Sequence, residues 1–328
     1  MLKHLLRGGG SSLDGNSWVA TLGGSRDDEG RSVAVAPDGS VYVCGWSSSA
    51  GAGGRDLLLA KFSSSGTVQW QKTLGDSNHD YGFSVAVAPD GSVYVNGCIY
   101  FNGTRNDLIL AKFNSSGTVQ WQKTLGGSGE DYGTSVAVAP DGYVYVCGYT
   151  KSAGAVSYDL LLTKFSSSGT VQWKKILGGR SVEDCSSIAV APDGYVYVCG
   201  RTYSTTANEN SDFLLIKFNS SGTVQWQKTL GGSGYDYGWS VAVAPDGYVY
   251  VCGQAAADLL LAKITDSIIE KDTVTFGSFI FRNVSLTFNN VSFTSTSSSL
   301  SVSNAGLTVT TPSLTVGTPS LTTNLYKE

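Results

Sequence analysis

Trp121-Gln-Lys-Thr-Leu125, Gly126-Gly-Ser-Gly-Glu-Asp-Tyr-Gly133, Ser135-Val-Ala-Val-Ala139, Pro140-Asp-Gly142, Tyr143-Val-Tyr-Val-Cys147, a variable loop, Asp159-Leu-Leu-Leu-Thr-Lys-Phe165 and Ser166-Ser-Ser-Gly169 form one unit of a repeat. The apolar runs are short, rich in Val, Tyr, Trp and Leu, and bounded by Gly, Pro, Asp or Ser. That is the punctuation of strands, and no run is long enough for a helix. Pro-Asp-Gly suits a tight turn, because Pro presets φ, Asp bonds its own backbone and Gly tolerates positive φ. Ser-Ser-Gly does similar work between the third and fourth strands. The unit therefore reads as four meandering strands: A (Ser-Val-Ala-Val-Ala), B (Tyr-Val-Tyr-Val-Cys), C (Asp-Leu-Leu-Leu) and D (Trp-Gln-Lys-Thr-Leu).

Five such units run from Trp18 to Ile264. Trp18, Trp70, Trp121, Trp173 and Trp226 are spaced by 52, 51, 52 and 53 residues, and Pro37, Pro89, Pro140, Pro192 and Pro245 repeat that series. A fixed period in this range marks a propeller or a solenoid, and four strands per unit make a propeller blade. The row starts with a D strand, Trp18 to Leu22, and ends with a C strand, after which no further Trp-Gln strand follows. Five A, B, C and D strands make five whole blades if Trp18 to Leu22 pairs beside Leu259 to Ile264. The expected fold is an all-β, five-bladed β-propeller closed by its N-terminal strand, which removes two exposed sheet edges.

The bulk numbers fit such a fold and exclude several function classes. The chain has 328 residues, 41% hydrophobic, with 22 basic and 26 acidic residues and a net charge of -4. No Lys/Arg cluster stands out, so nucleic acid is a poor partner. No apolar run approaches the roughly 18 residues of a membrane helix, and Met1 to Arg7 is too short for a secretory signal. The reading is a soluble protein made in a cytoplasm. Cys44, Cys147, Cys199 and Cys252 fill one repeat position, where the second unit has Asn96. Equivalent positions in successive blades lie too far apart to bridge, so free, buried thiols are expected.

The quoted Trp121 to Leu125 with Gly126-Gly127, and the Ala-Pro-Asp-Gly-Tyr-Val-Tyr-Val-Cys-Gly core within Ser135 to Gly148, resemble the bacterial β-propeller repeat known as SBBP. The resemblance covers residues 18 to 264. That family is named for seven blades and this chain counts five. Similar arrays resemble phage structural proteins, cyanophages included, and a five-blade count is similar to tachylectin-type lectins by architecture alone. The resemblance implies a surface or adhesion context and carries over no catalytic residue.

From residue 272 the composition shifts to Ser, Thr, Val, Leu, Phe and Asn. Phe279, Leu286, Phe293, Leu300, Leu307, Leu314 and Leu321 are spaced by seven, and two residues later come Phe281, Phe288, Ser295, Val302, Val309, Val316 and Thr323. Apolar and polar residues alternate within each heptad, so it encodes a short strand and not a coiled coil. Such strands are not stable alone. The expectation is a β-stranded fibrous stem, residues 273–328, wound as a homotrimer like the stems of phage tail fibres and spikes; a single-chain solenoid and a flexible tail are the alternatives. Residues 265–272 read as a linker, and residues 1–17 as a flexible leader or a docking peptide for another virion protein.

Function is expected at one end of the blades. The A-to-B and C-to-D turns at the opposite end are uniform, whereas the B-to-C loops at this end, which they share with the D-to-A loops, vary freely, and variable loops on a rigid scaffold are where binding sits. Trp46, Tyr100, Phe101, Tyr149, Tyr158 and Tyr203 offer rings for stacking on sugars; the competing reading is that they cover the blade tips. The D-to-A loops place one acid per blade in register: Asp28, Asp80, Asp131, Glu183 and Asp236. Five carboxylates suit calcium as a cofactor, but a feature repeated in every blade fits a structural role, capping backbone amides. His4 and His79 are the only histidines, so a His-based triad or multi-His metal site is not expected. The acids are repeated equivalents and not the asymmetric pair that glycoside hydrolysis needs. The chain is therefore read as a non-enzymatic virion fibre or spike subunit whose propeller contacts a host-surface glycan or other virion proteins. A purely structural decoration protein and a cellular surface lectin are the alternatives.

Overall fold

A computed structural model describes residues 18–101, 105–152, 157–178, 181–203, 210–231, 234–256 and 258–265, together with short segments between 273 and 317. The leader, residues 1–17, lies outside them, as do Leu286, Phe293, Ser295, Leu300, Leu307, Leu314, Leu321 and Thr323 of the heptads.

The first described strand is β1 (Thr21–Gly23). Blade 1 follows as β2 (Asp28–Val35), β3 (Val41–Ser47), β4 (Asp56–Phe62) and β5 (Val68–Gly75). Blade 2 is β6 (Asp80–Val87), β7 (Val93–Phe101), β8 (Arg105–Phe113) and β9 (Val119–Gly126). Blade 3 is β10 (Asp131–Val138), β11 (Val144–Thr150), β12 (Asp159–Phe165) and β13 (Val171–Leu177). Blade 4 is β14 (Glu183–Val190), β15 (Val196–Thr202), β16 (Asp212–Phe218) and β17 (Val224–Gly231). Blade 5 has three strands, β18 (Asp236–Val243), β19 (Val249–Ala255) and β20 (Asp258–Ile264).

Each blade is an antiparallel meander. In blade 3 the Pro-Asp-Gly turn is closed by Gly142 N–H donating to the Ala139 carbonyl at 2.9 Å and by Tyr143 N–H donating to Asp141 at 3.2 Å, with φ +83° at Gly142. The A strands pack one on the next, β2 against β6, β6 against β10, β10 against β14 and β14 against β18. Between consecutive blades lies a hydrophobic core, four among the described residues. Between blades 1 and 2, for example, Tyr42, Cys44, Leu57 and Leu59 meet Val85, Val93, Val95 and Phe113. The D-strand tryptophan joins each blade to the next: Trp70, Trp121 and Trp173 donate Nε1–H to the carbonyls of Ser115, Ser167 and Ser220 at 3.1, 3.1 and 3.2 Å. The Ser-Ser-Gly glycine sits beneath the ring; at Gly169, with φ +82°, a Cβ would come within 3.0 Å of Trp121. Asn96, standing where four repeats have Cys, is fully buried with neither side-chain amide atom hydrogen-bonded, a local cost of about 1–3 kcal/mol.

Three expectations are corrected. The N-terminal strand does not close the ring. β1 pairs with β26 (Thr315–Gly317), Leu22 opposite Val316, and among the described residues blade 5 has three strands. The reason is local: Trp18 stacks on Phe62 at 6.0 Å and donates to the Ser64 carbonyl at 3.0 Å. The hydrogen bond is the one that Trp70, Trp121 and Trp173 make with their following blades, so β1 sits against blade 1 without needing blade 5.

Second, the described strands of the heptad region form no separate stem. β21 (Thr273–Phe276) pairs with β22 (Phe279–Asn283), and β22 with the D strand of blade 4. β23 (Phe288–Asn289), β24 (Ser301–Asn304) and β25 (Thr308–Thr310) extend blades 3, 2 and 1. The paired positions are Phe281 with Leu230, Phe288 with Leu177, Val302 with Leu125, Val309 with Leu74 and Val316 with Leu22. The chain thus returns along the outer edges in reverse blade order, one heptad per blade apart from a double step between blades 3 and 2. The physical cause is the row of unpaired N–H and C=O groups on each D strand.

Third, Cys147 is not free. It is bonded to Cys185, with Cα atoms 6.1 Å apart. Cys185 stands where other units have Gly82, Gly133 and Gly238, at the start of an A strand that lies against the preceding blade's B strand. The bridge therefore joins unlike positions of neighbouring blades. Cys44, Cys98 and Cys199 are free and buried, and burial pushes their thiols well above the ordinary range.

Candidate functional site

The variable B-to-C loops and the D-to-A loops share one end of the array. Their side chains form an aromatic belt interleaved with cations. On blades 1 and 2, Trp46 is buried, its ring edge-on to Tyr81 at 6.3 Å with the Arg55 guanidinium 4.1 Å from its centroid. Arg55 donates to the Tyr81 hydroxyl at 3.2 Å, and Tyr81 stacks on Phe83 at 6.0 Å. Beside them Arg26, Asp27, Ser48, Gly53, Gly54, Arg55 and His79 line an open depression of about 490 Å³.

On blade 3, Tyr149 packs between Tyr132 at 4.9 Å and Tyr158 at 5.1 Å. The Tyr158 hydroxyl donates to Glu130 at 2.5 Å and the Lys151 ammonium lies 4.1 Å from its ring. Tyr132 accepts a hydrogen bond from Asn106 Nδ2 at 2.7 Å, and burial pushes its hydroxyl up to about 12. On blades 4 and 5, Arg201 is held by Asp184 at 2.5 Å and lies 5.6 Å from the Tyr203 ring and 5.2 Å from Tyr237. Tyr237 stacks between Tyr235 at 6.4 Å and Trp239 at 5.7 Å, and Tyr235 is 49% exposed. Cation–π pairs of this kind are worth about 0.5–2 kcal/mol each and hold the rings in place.

Of the six aromatic residues picked from the sequence, Tyr149, Tyr158 and Tyr203 lie in this belt. Trp46 lies beneath it. Tyr100 is half-buried at the end of strand β7, and the backbone of Phe101 continues that strand. Sequence reasoning missed Tyr81, Tyr132, Tyr235 and Tyr237. The signal was present, since Tyr follows the acid in three D-to-A segments, but those residues belong to A strands that begin earlier than the Ser-Val-Ala-Val core.

The repeated acids open those A strands, and four of the five are buried. Asp131 accepts from the Gly127 N–H at 3.0 Å, from Ser152 Oγ at 2.5 Å and from Thr150. Asp80 accepts from the Asp76 and Tyr100 amides at 2.9 and 3.3 Å, Glu183 from Thr202 at 2.9 Å, and Asp236 from the Ala256 amide at 2.9 Å. Asp28, the most solvated, accepts from the Gly24 amide at 2.9 Å and from Ser49 at 2.7 Å. At Asp28 burial pushes upward, but the hydrogen bonds from Ser47, Gly24 and Ser49 win and hold the carboxyl below 3.8. Burial pushes Asp80 up to about 7, with Asp76 and Asp56 adding repulsion, and Asp131 and Asp159 up to about 6. These are loop-fastening groups turned inward. No cluster of three or more His, Cys, Asp or Glu positioned for a metal is found among the described residues. Among those residues no helix is long and apolar enough to cross a membrane.

Blades of this order and register, built from sequence repeats around inner A strands, define a β-propeller-like repeat protein. Residues 120–154 and 172–205 match the SBBP β-propeller repeat model, and residues 36–68, 88–119 and 191–224 match the DUF5122 β-propeller, a domain of unknown function. The chain is 28% identical over 251 residues to the regulatory protein FlaEY of Caulobacter vibrioides, a match covering 66% of this chain and 26% of that protein. It is 22% identical over 257 residues to an uncharacterised WD repeat-containing protein of Acanthamoeba polyphaga mimivirus, covering 60% of this chain and 18% of that one. The chain thus spans about a quarter or less of these relatives. Among solved structures, virginiamycin B lyase from Staphylococcus aureus aligns with a TM-score of 0.46 at 11% identity, over 76% of this chain and 75% of that one. A protein of unknown function from Bacteroides caccae aligns at 0.42 and 12%, over 76% and 84%.

Proposed function

We propose that the chain is a non-enzymatic adhesion scaffold that binds a surface carbohydrate through the aromatic belt at its loop-bearing end. The observation that carries this reading is the run of tyrosine rings, Tyr132, Tyr149 and Tyr158 on blade 3 and Tyr203, Tyr235 and Tyr237 on blades 4 and 5, fixed by Lys151 and Arg201. Aromatic faces offer sugars flat apolar area, while nearby Asn106 and Glu130 supply hydrogen bonds. Acids turned inward to fasten loops speak against a carboxylate-based hydrolytic site. The reading rests on the propeller blades and not on a trimeric stem, since the described heptad strands lie along the blades.

A glycan array probed with the full chain tests this. Tyr235→Ala, at the exposed surface of the belt, is expected to weaken binding about two- to tenfold with a melting midpoint close to the parent's, and Tyr158→Ala to weaken binding by as much with a lower midpoint, because its ring and hydroxyl also hold Tyr149 and Glu130. Absence of glycan binding, or binding unchanged in both variants, would refute it. Trp46→Ala is a poor probe because that ring is buried.

A further inference from the structure

On blades 1 and 2 of the loop-bearing end, Arg26, Arg55 and His79 meet, with Asp27, around the open depression of about 490 Å³. The two arginines do not belong to the repeat. Where blade 1 has Arg26, two residues before the acid that opens the A strand, the other units have Asn78, Gly129, Ser181 and Gly234. Where it has Arg55, just before the C-strand aspartate, they have Asn106, Tyr158, Ser211 and Ala257. A blade is therefore built without these cations, and their convergence calls for a reason other than the fold.

Close backbone approach brings them together. A Cβ on Gly54 would overlap the Asn78 carbonyl and one on Gly53 would press on Ser77, so these glycines let the B-to-C loop of blade 1 lie on the D-to-A loop that follows it. Arg55 N–H then donates to His79 Nδ1 at 3.0 Å, which leaves the proton of the neutral imidazole on Nε2 as a donor. The Arg55 guanidinium is fixed by Trp46 and Tyr81. Arg26 is anchored through its backbone, its N–H donating to Ser49 Oγ at 2.9 Å and its carbonyl accepting from that hydroxyl at 3.1 Å. Neither arginine is ion-paired with a carboxylate among the described residues. The neighbouring acids are engaged by loop amides, Asp28 by Gly24 at 2.9 Å, Asp56 by Ala52 at 3.1 Å and Asp76 by Asn78 at 2.7 Å. Asp27 is exposed and lines the depression.

We propose that this depression binds a sugar acid, a saccharide unit with one carboxylate, which Arg26 and Arg55 hold while Asp27 and His79 bond its hydroxyls. Two guanidiniums favour an anion, and their forked donors match a carboxylate. Asp27 disfavours a dianion such as inorganic sulfate, and it offers an acceptor to hydroxyl groups that a simple anion lacks. Taking a sugar as the carrier of the charge rests on the carbohydrate reading above.

Sodium glucuronate titrated into the full chain at low salt, followed by ligand-observed NMR, is expected to bind saturably. Arg26→Ala alters an exposed side chain, so it should keep the parent's melting midpoint and weaken glucuronate binding at least about fivefold. Glucose and sodium sulfate, tested singly, should each bind at least about fivefold more weakly than glucuronate. Absence of glucuronate binding, glucose or sulfate binding as tightly, or glucuronate binding unchanged in Arg26→Ala would overturn the proposal. If neutral glycans on an array are nevertheless bound through Tyr235, such a result removes the acid site and leaves the tyrosine belt standing. Arg26-dependent binding of glucuronate beside a silent array supports the acid site and refutes the belt.

Discussion

Replacing Gly148 with valine is expected to lower the stability of the fold by more than about 4 kcal/mol. Gly148 lies on β11 opposite Gly133, where the A strand of blade 3 is bulged between Gly133 and Ser135. The bulge drives the Tyr132 carbonyl towards strand B, so that a Cβ on Gly148 would overlap that oxygen and its carbon. The obstacle is backbone, which cannot rotate away as a side chain would. Gly45, Gly97, Gly200 and Gly253 stand in the same relation to Glu29, Tyr81, Asp184 and Tyr237, which explains a glycine at this point in all five units. Breaking an A–B pair in the middle of the array disturbs the hydrophobic cores on both sides of blade 3, a loss of more than about 4 kcal/mol against a total stability of about 5–15 kcal/mol. A circular dichroism melt reads it; a midpoint within a few degrees of the parent would show that the bulge relaxes and that the A–B register is wrong.

The second large effect is a fall in stability between pH 5 and pH 8. Asp80, Asp131 and Asp159 titrate in the folded protein at about 7, about 6 and about 6, raised chiefly by burial from the ordinary 3.8. Between these limits the folded chain holds protons that the unfolded chain has released. The stabilisation is therefore fully present near pH 4 and is lost as the pH rises through 6 to 7. Asp28 acts in the opposite direction, but only in stronger acid, because its carboxyl lies below 3.8. A melting midpoint several degrees higher at pH 5 than at pH 8 is expected, and Asp159→Asn should reduce the difference, with Asp80 and Asp131 supplying the remainder. A midpoint that rises from pH 5 to pH 8 would mean that these carboxylates are ionised partners and not buried acids.

Most of the blade was legible in the sequence because turn chemistry and apolar runs coincide there. Pro-Asp-Gly and Ser-Ser-Gly fall between the strands they separate, and the C strands open at Asp56, Asp159, Asp212 and Asp258 as the pattern places them. The A strands begin four residues before the Ser-Val-Ala-Val motif, since Asp80-Tyr-Gly-Phe lacks apolar alternation yet pairs across the bulge. That shift concealed half of the aromatic belt. The heptads were readable as strands but not as to their partner. Periodicity reports which face is apolar, whereas the partner is set by backbone groups on the D-strand edges, which leave no mark in side-chain pattern. Ring closure failed for the same reason: counting strands shows that Trp18 to Leu22 is a D strand, but not which edge it takes. The Cys147–Cys185 bridge was hidden because Cys185 occurs in one unit only, outside the repeated cysteine position.

The central claim is that the C-terminal heptads are rim strands of the blades. Amide hydrogen exchange on the full chain and on a chain ending at Thr265 tests it most directly, at residues 73–75, 124–126 and 228–231 of the D strands. The outward-pointing amides there should be protected in the full chain and exchange at least about tenfold faster once the heptads are removed, while the inner A and B strands keep their protection. Equal exchange in the two chains at those positions would contradict it and return the heptads to a domain of their own.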